Sequence, residues 1–348
     1  MQAISTALLS FGMSGQVFHA PFIKANPHFH LRAVWERSQK LAAEKYPGTI
    51  SYNTLEELLA DKEIELVVVN TPNVTHYEYA KKALAAKKHI VVEKPFTVTV
   101  EQATELIDLA KEHGLMISVY QNRRYDSDYK IVKQVVDEGW LGNIVEAEFH
   151  YDRFKEELSP KLHKETPGPG TGALYDLGSH IIDQALQLFG FPDAVFADIR
   201  TVRPLSQVDD YFEVLLYYPG LRVRLHSSYL VREALPAYQL HGSKGSFIKQ
   251  KTDVQEAALQ AGEVPGNPGW GAEPEGQQGF LHTEKDGRSI TEKLSSPPGN
   301  YGDYYEGIYQ SLRNNTRPPV TAEEGLDVIR IIAAARKSSD ERSIVDFK

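Results

Sequence analysis

Three short stretches carry residue types that could do chemistry together. Glu93-Lys94-Pro95 closes the apolar run His89-Ile90-Val91-Val92, so a lysine stands at the end of a buried strand. Gly12-Met13-Ser14-Gly15 follows the apolar opening Ala3–Phe11 and offers backbone amides with little side chain in the way. Asp176-Leu177-Gly178-Ser179-His180 sets a carboxylate and an imidazole one helical turn apart. Oxidising a secondary alcohol calls for a base at the hydroxyl proton and a hydride acceptor held about 3–3.5 Å away. A dinucleotide cradle, a strand-end lysine and an Asp/His pair are those parts, and together they predict hydride transfer to or from an alcohol carbon.

The roles follow from residue type. The positive charge of an oxidised nicotinamide beside Lys94 would favour the neutral amine, a proton acceptor that also polarises the substrate oxygen. His180 can share the base role or carry it, and Asp176 can lie on the same helical face or bind a substrate hydroxyl. Two blander readings compete. Lys94 could pair with a carboxylate at its strand end, and Asp176, His180 and Asp183 have a spacing that permits a metal. No further ligand cluster stands out, so no metal is expected.

A Rossmann fingerprint places Gly-x-Gly-x-x-Gly between strand and helix, where backbone amides and the helix dipole meet a pyrophosphate. Here the three positions read Ser10, Gly12 and Gly15, with a small residue replacing the first glycine. Glu36 stands about 20 positions past the glycines, where an acidic residue usually accepts from the ribose hydroxyls. Arg37, Ser38 and Lys40 follow at once and would suit a 2′-phosphate, with Glu36 swung outward from an exposed turn. The expectation is NADP, with NAD as the alternative. Thr71, Pro72, Asn73 and His76 end another strand at the same sheet edge and should line the nicotinamide half; the alternative is a helix-capping turn.

The elements that must hold these residues are legible. The first 120 residues alternate short β-type runs with amphipathic stretches, as a parallel sheet covered by helices requires. Strands are expected at Ile4–Phe11, His30–Trp35, Glu65–Val69, His89–Val92 and Met116–Tyr120. Helices are expected from Val17, over Ser51–Leu59, up to Ala86, and from a Thr99/Gln102 capping box to Gly114. After one more helix carrying Ile131, Val132, Val135 and Val136, long alternating strands take over. They run Ile144–Arg153, Val195–Val202, Tyr211–Tyr218, Leu221–Val231 and Ala237–Lys249, with a hairpin at Pro219-Gly220. Residues 262–279 read as a surface loop and Ala322–Ser339 as a helix that packs back on the first domain. The fold class is α/β: a Rossmann parallel sheet over 1–122, then an α+β domain over 123–348 with an open, mostly antiparallel sheet.

Composition bounds the partners. At 348 residues the chain is long enough for two domains, and 41% hydrophobic with 24% charged residues is ordinary for a globular protein. A net charge of -9 argues against nucleic acid and anionic membranes. The absence of cysteine excludes disulfides and thiolate chemistry and fits a reducing cytoplasm. The apolar opening lacks a basic leader and a cleavage site, so it reads as a strand rather than a signal peptide. No apolar run approaches the roughly 18 residues of a bilayer span.

Glu93-Lys94-Pro95, Gly12-Met13-Ser14-Gly15 with Phe18-His19-Ala20-Pro21, and Gly172–His180 resemble the Gfo/Idh/MocA oxidoreductases. Asn122-Arg123-Arg124-Tyr125-Asp126 and Val320–Gly325 extend the resemblance over essentially the whole chain. Within the family it is most similar to NADP-dependent scyllo-inositol dehydrogenases. The resemblance implies that Lys94 is catalytic, with a bond to Pro95 that is often cis. It implies that Asp176 and His180 supply substrate binding and the acid/base, that Glu93 and Arg123 belong to the cofactor region, and that the outer face of the second sheet makes a dimer. Gly170-Thr171-Gly172 stands where the family has three glycines.

The substrate pocket is expected between the sheet edge and the second domain, with Tyr120, Asn122, Tyr151, Arg153, Tyr175 and Tyr238 as polar walls able to read a polyol. His19, His76 and His150 are expected as packing or capping residues rather than catalysts. The functional expectation is a cytoplasmic NADP-linked oxidoreductase on a cyclic polyol or sugar, forming a homodimer or homotetramer. The alternatives are an NAD-linked dehydrogenase of an aldose or sugar ketone, and a cofactor-binding sensor without turnover.

Overall fold

The computed structural model describes residues 3–347, apart from the side chains of Leu162 and His163. The chain forms two compact units. The first holds the chain up to Tyr125, then Val254–Trp270 and Asn300–Leu326; the second holds Asp126–Asp253, Gly271–Gly299 and the chain from Asp327 on.

Six parallel strands build the first unit: β1 Ile4–Leu8, β2 Phe29–Trp35, β3 Ile50–Tyr52, β4 Leu66–Val69, β5 His89–Glu93 and β6 Ile117–Tyr120. Their order is β3-β2-β1-β4-β5-β6, with every neighbouring pair parallel. All four residues of Leu66-Val67-Val68-Val69 are buried, as a strand covered on both faces demands, and each contributes about 1.5–3 kcal/mol of burial. The helix Val100–His113 starts on the Thr99/Gln102 capping box and stops at left-handed Gly114. Strand order reverses between β1 and β4, so a crevice opens beyond their carboxyl ends.

One expected element divides. The stretch read as a helix over Ser51–Leu59 is instead β3 followed by the helix Leu55–Ala60, because Thr54 and Glu57 form a capping box that fixes the helix start. The short helix Leu41–Lys45 was not foreseen, nor were two further helices of this unit, Gln255–Gln260 and Gly302–Asn314. The last buries Tyr304, Tyr305 and Ile308 at helical spacing.

Nine strands build the second unit's sheet: β7 Ile144–His150, β8 Ala194–Arg200, β9 Tyr211–Tyr218, β10 Leu221–Ser228, β11 Tyr238–Gly242, β12 Gly245–Lys249, β13 Gly279–Lys285, β14 Arg288–Leu294 and β15 Val345–Asp346. The order is β14-β13-β12-β11-β7-β10-β9-β8-β15. Every pair is antiparallel except β7 with β10. Burial alternates along Tyr211–Tyr218, which gives the sheet one packed face and one open face. The packed face carries the helices Ser127–Asp137 and Ser179–Phe189, tied together by Tyr129 donating to the Gln184 carbonyl at 3.0 Å.

Two expectations are corrected here. Ala237–Lys249 is not one strand but the hairpin β11–β12, turned at Ser243-Lys244. The β13–β14 hairpin was missed, and its turn is Asp286-Gly287 with φ of 52° and 72°, the left-handed pair a tight hairpin needs. The last helix runs Ala322–Glu341, close to expectation. Among the described residues no helix is long and apolar enough to cross a membrane.

Candidate active site

The glycine turn lies where β1 ends. Ser10, in the first fingerprint position, has no positive φ and its Oγ accepts from the Gly12 N–H at 3.1 Å, so a serine holds the turn that a glycine usually makes. Gly15 is required for space: a Cβ there would lie 2.3 Å from the Ser10 carbonyl oxygen and 3.0 Å from Asn70 Nδ2. It opens a π-helical turn, Gly15–His19, that leads into the helix Ala20–Ala25. Met13 is exposed.

Beside this turn is a cleft of about 430 Å³. Ser10 and Gly12 line it from the first turn, Arg37 and Ser38 from the end of β2, and Thr71 and Pro72 from the end of β4. Polar groups at this sheet edge fit a dinucleotide. Asn70 Oδ1 and both amide atoms of Gln121 are buried with no partner among the described residues. Orphaned groups of this kind cost about 1–3 kcal/mol each unless a ligand or water meets them.

Glu36 departs from expectation. It does not swing outward; it is 7% exposed and turns in, accepting from Ser51 Oγ at 2.6 Å and from the Ala42 N–H at 3.3 Å. The cause is the helix Leu41–Lys45, whose first N–H groups have no intrahelical acceptor. Lys40 is also withdrawn, donating to the Glu36 carbonyl at 2.9 Å and to Asn53 Oδ1 at 2.6 Å. Arg37 and Ser38 stay exposed on the cleft.

His76 is placed away from the cleft. It is fully buried, with Nδ1 2.9 Å from the Pro95 carbonyl oxygen and Nε2 2.9 Å from that of Thr71, so it ties the β4 and β5 loops together. Asn73 begins the short turn Asn73–Thr75. Arg123 is buried, donates to Tyr301 Oη at 2.9 Å and pairs with Glu256; Asn122 is buried in the same short turn. Tyr120, read as a pocket wall, is buried and donates to the Phe18 carbonyl at 2.7 Å.

Lys94 follows β5, half-buried, and its peptide bond to Pro95 is cis. The residue before it organises the neighbourhood. Glu93 accepts from Ser14 Oγ, from His19 Nε2 at 3.0 Å and from the Lys94 N–H at 3.1 Å. His19 Nδ1 in turn lies 2.7 Å from Tyr305 Oη. The Nε2–H tautomer of His19 satisfies both contacts. Burial alone pushes the Glu93 carboxyl up, but the His19 and Ser14 hydrogen bonds and the Lys94 charge outweigh it and bring it from 4.5 down to about 2.

That shift has a testable sign. A carboxyl depressed in the folded state stabilises above its unfolded value, and the contribution is lost as pH falls from about 4.5 to about 2. Its size is about 3 kcal/mol. Glu93→Gln is expected to lose roughly that much at neutral pH by urea unfolding, with the gap to the unsubstituted protein closing toward pH 2. A gap that stays constant with pH would place the effect in packing instead of charge.

In the second unit, Asp176 lies in another π-helical turn, Leu174–Gly178, and His180 in the first turn of the helix that follows. Wide turns of this kind concentrate at functional sites. Gly172 permits this one, since with φ of 95° its Cβ would meet Asp209 Oδ1 at 2.1 Å. Asp209 then accepts from the Leu174 N–H and from Arg336, each at 2.8 Å, and so fixes the start of the turn. Nothing in the sequence pattern pointed to Asp209, beyond a glycine that had to make room.

Asp176 Oδ2 accepts from Lys164 Nζ at 2.8 Å. The His180 ring is 6.1 Å from that of Tyr151, and the Arg153 guanidinium lies over Tyr151 and Tyr229. Burial, with the Asp176 charge behind it, pushes the Tyr229 hydroxyl up to about 12, so it stays a neutral donor. Two pocket-wall expectations are corrected. Tyr238 is buried among Tyr129 and Phe149, with its hydroxyl 3.1 Å from Gln184, because it shares the inward face of β11 with Leu240. Tyr175 is buried under the Arg336 guanidinium.

The chain is similar to known proteins over nearly its whole length. Residues 4–121 match the model of the Gfo/Idh/MocA oxidoreductase family's NAD-binding Rossmann fold, and residues 133–347 match its C-terminal alpha/beta domain. The scyllo-inositol 2-dehydrogenase (NADP(+)) IolW of Bacillus subtilis is 39% identical over 345 residues, covering 99% of this chain and 96% of its own. A solved Bacteroides fragilis structure is 48% identical with a TM-score of 0.91, covering 99% of this chain and all of the other. The Bacillus subtilis yvaA structure is 39% identical with a TM-score of 0.96, covering 100% of this chain and 99% of its own.

Proposed function

The chain belongs to the Gfo/Idh/MocA oxidoreductase family, and from that premise we propose that it is an NADP-linked dehydrogenase acting on a CH–OH carbon of a cyclic polyol or sugar. One observation carries the coenzyme choice: Glu36, Arg37 and Ser38 all line the cleft, but Arg37 and Ser38 are exposed on it while the Glu36 carboxylate is taken up by Ser51 Oγ and the Ala42 N–H. A guanidinium beside a hydroxyl suits a 2′-phosphate, whereas a carboxylate aimed at the ribose would have favoured NAD. The polyol reading draws on the IolW relative, whose name states scyllo-inositol and NADP.

When bound, the nicotinamide supplies the hydride acceptor or donor. The turn Gly12–Gly15 would hold the pyrophosphate, Arg37 and Ser38 the 2′-phosphate, and Thr71 and Pro72 the nicotinamide half. Lys94 holds the substrate oxygen and takes or returns its proton. Asp176 accepts a hydrogen bond from a further substrate hydroxyl, and Tyr151 and Arg153 contact the remaining ones. Self-association through the open face of the nine-stranded sheet, where Phe196 is exposed, completes the proposal; a monomeric mass by light scattering would remove it.

The test is reduced-nicotinamide absorbance with purified protein against a panel of inositols and hexoses, offering NADP and NAD in parallel. Turnover with NADP and scyllo-inositol or a close relative is the expected result. Preference for NAD would sink the Arg37 argument. Tight NADPH binding with no turnover on any substrate would make the protein a sensor.

A further inference from the structure

The open face of the second unit's sheet carries a cluster that the hydride chemistry does not use. β7 and β10 are its single parallel pair, and their register sets His150 directly opposite His226. Parallel neighbours stand about 4.8 Å apart, so two histidines in register on one face bring their rings together. The ring centroids are 5.2 Å apart. Asp152, two residues beyond His150 on the same face, reaches both. Its Oδ2 lies 3.1 Å from His150 Nδ1 and its Oδ1 lies 2.9 Å from His226 Nδ1.

We propose that His150, Asp152 and His226 form a binding site for a divalent first-row transition ion of the zinc type. The three ligand atoms lie within 4.8 Å of one another. The donors of a tetrahedral zinc are about 3.4 Å apart, given bonds of about 2.0–2.2 Å, so side-chain rotations that close the widest pair by up to about 1.4 Å would admit the ion. The side chains are only 6%, 4% and 17% exposed, so they are already desolvated and held. Two imidazoles and one carboxylate, with no thiolate, select zinc, cobalt, nickel or copper over magnesium and calcium.

The outer shell is also built. An imidazole that binds through Nδ1 carries its proton on Nε2, and the Nε2 of His150 lies 3.4 Å from Glu148 Oε2. A carboxylate behind the second ring nitrogen is the usual orienting partner of a metal-bound histidine. The Ser228 N–H holds Asp152 Oδ1 at 2.9 Å. Glu148 and Glu213 both pair with Arg224, so with neutral imidazoles the three carboxylates and one guanidinium leave two negative charges. Tyr211 lies edge-on to His226, and Arg200 over Tyr211 is paired with Asp198.

The experiment uses the full-length protein, stripped with a chelator and titrated with zinc against a chromogenic chelator. Cobalt in a parallel sample reports the ligand field by its visible absorption. The expected result is one tight equivalent per chain. His150→Asn and His226→Asn, whose side-chain amides keep a donor toward Asp152, should weaken it by at least about a hundredfold, and Glu148→Gln by about tenfold. Unchanged melting of the metal-free variants shows that the fold has survived. Zinc uptake equal in the variants and the unsubstituted protein, or no uptake by the unsubstituted protein, would overturn the proposal.

Discussion

Replacing Lys94 by alanine is expected to lower kcat by about a thousandfold while leaving NADPH affinity within a few-fold. A positioned proton carrier is worth about 10²–10⁴ in rate, and a cation on the substrate oxygen adds to it. Lys94 stands immediately after β5, and its own N–H is held by Glu93. The substitution removes the amine and leaves this scaffold in place. Stopped-flow hydride transfer and coenzyme fluorescence separate the two effects. A variant that keeps its kcat, or that loses coenzyme binding and rate together, would take the proton role away from Lys94.

The second large effect concerns coenzyme choice. Arg37→Ala is expected to lower kcat/KM for NADP by about 10–100-fold and to leave the NAD value nearly unchanged. A charge-assisted hydrogen bond to phosphate is worth about 1.5–3 kcal/mol, and each 1.4 kcal/mol is tenfold. Arg37 suits the role because it is exposed on the cleft, where a phosphate can reach it. Glu36→Gln makes the contrast: with its carboxylate capping Ala42 and taking the Ser51 hydroxyl, the change should lower Tm and barely move the NADP/NAD ratio. Equal losses with both coenzymes in Arg37→Ala would show that the arginine supports the loop instead of the phosphate.

Much of this was legible in the chain because burial writes itself into period. Leu66–Val69 and Ile90–Val92 are continuous apolar runs because helices cover both faces of their sheet, and Tyr211–Tyr218 alternates because one face of its sheet is open. β14 escaped because it is an exposed strand at the sheet's end, and Arg288, Ser289, Thr291, Glu292 and Lys293 give it little apolar signal. The helix Gly302–Asn314 escaped because its buried positions are filled by tyrosines, which favour strands as readily.

At the site, spacing pointed to residue types but not to directions. Tyr238 could have been set aside by parity with Leu240. Glu36 was read as free because the need of the following helix for an acceptor depends on where that helix starts. The Asp176–His180 interval suggested a regular helical face, whereas a π-helical turn intervenes. His150 and His226 become neighbours only through the register of two strands far apart in sequence.

The inward turn of Glu36 also constrains how this lineage could change its redox partner pool. Use of the existing carboxylate for a ribose would strip a helix start and the half-buried Ser51 hydroxyl of their acceptor. The accessible first step is a new acidic side chain at position 37 or 38, on surface already solvated and with no structural debt. Drift at those two positions is nearly neutral for folding, so they should vary with metabolic niche while position 36 stays fixed by architecture.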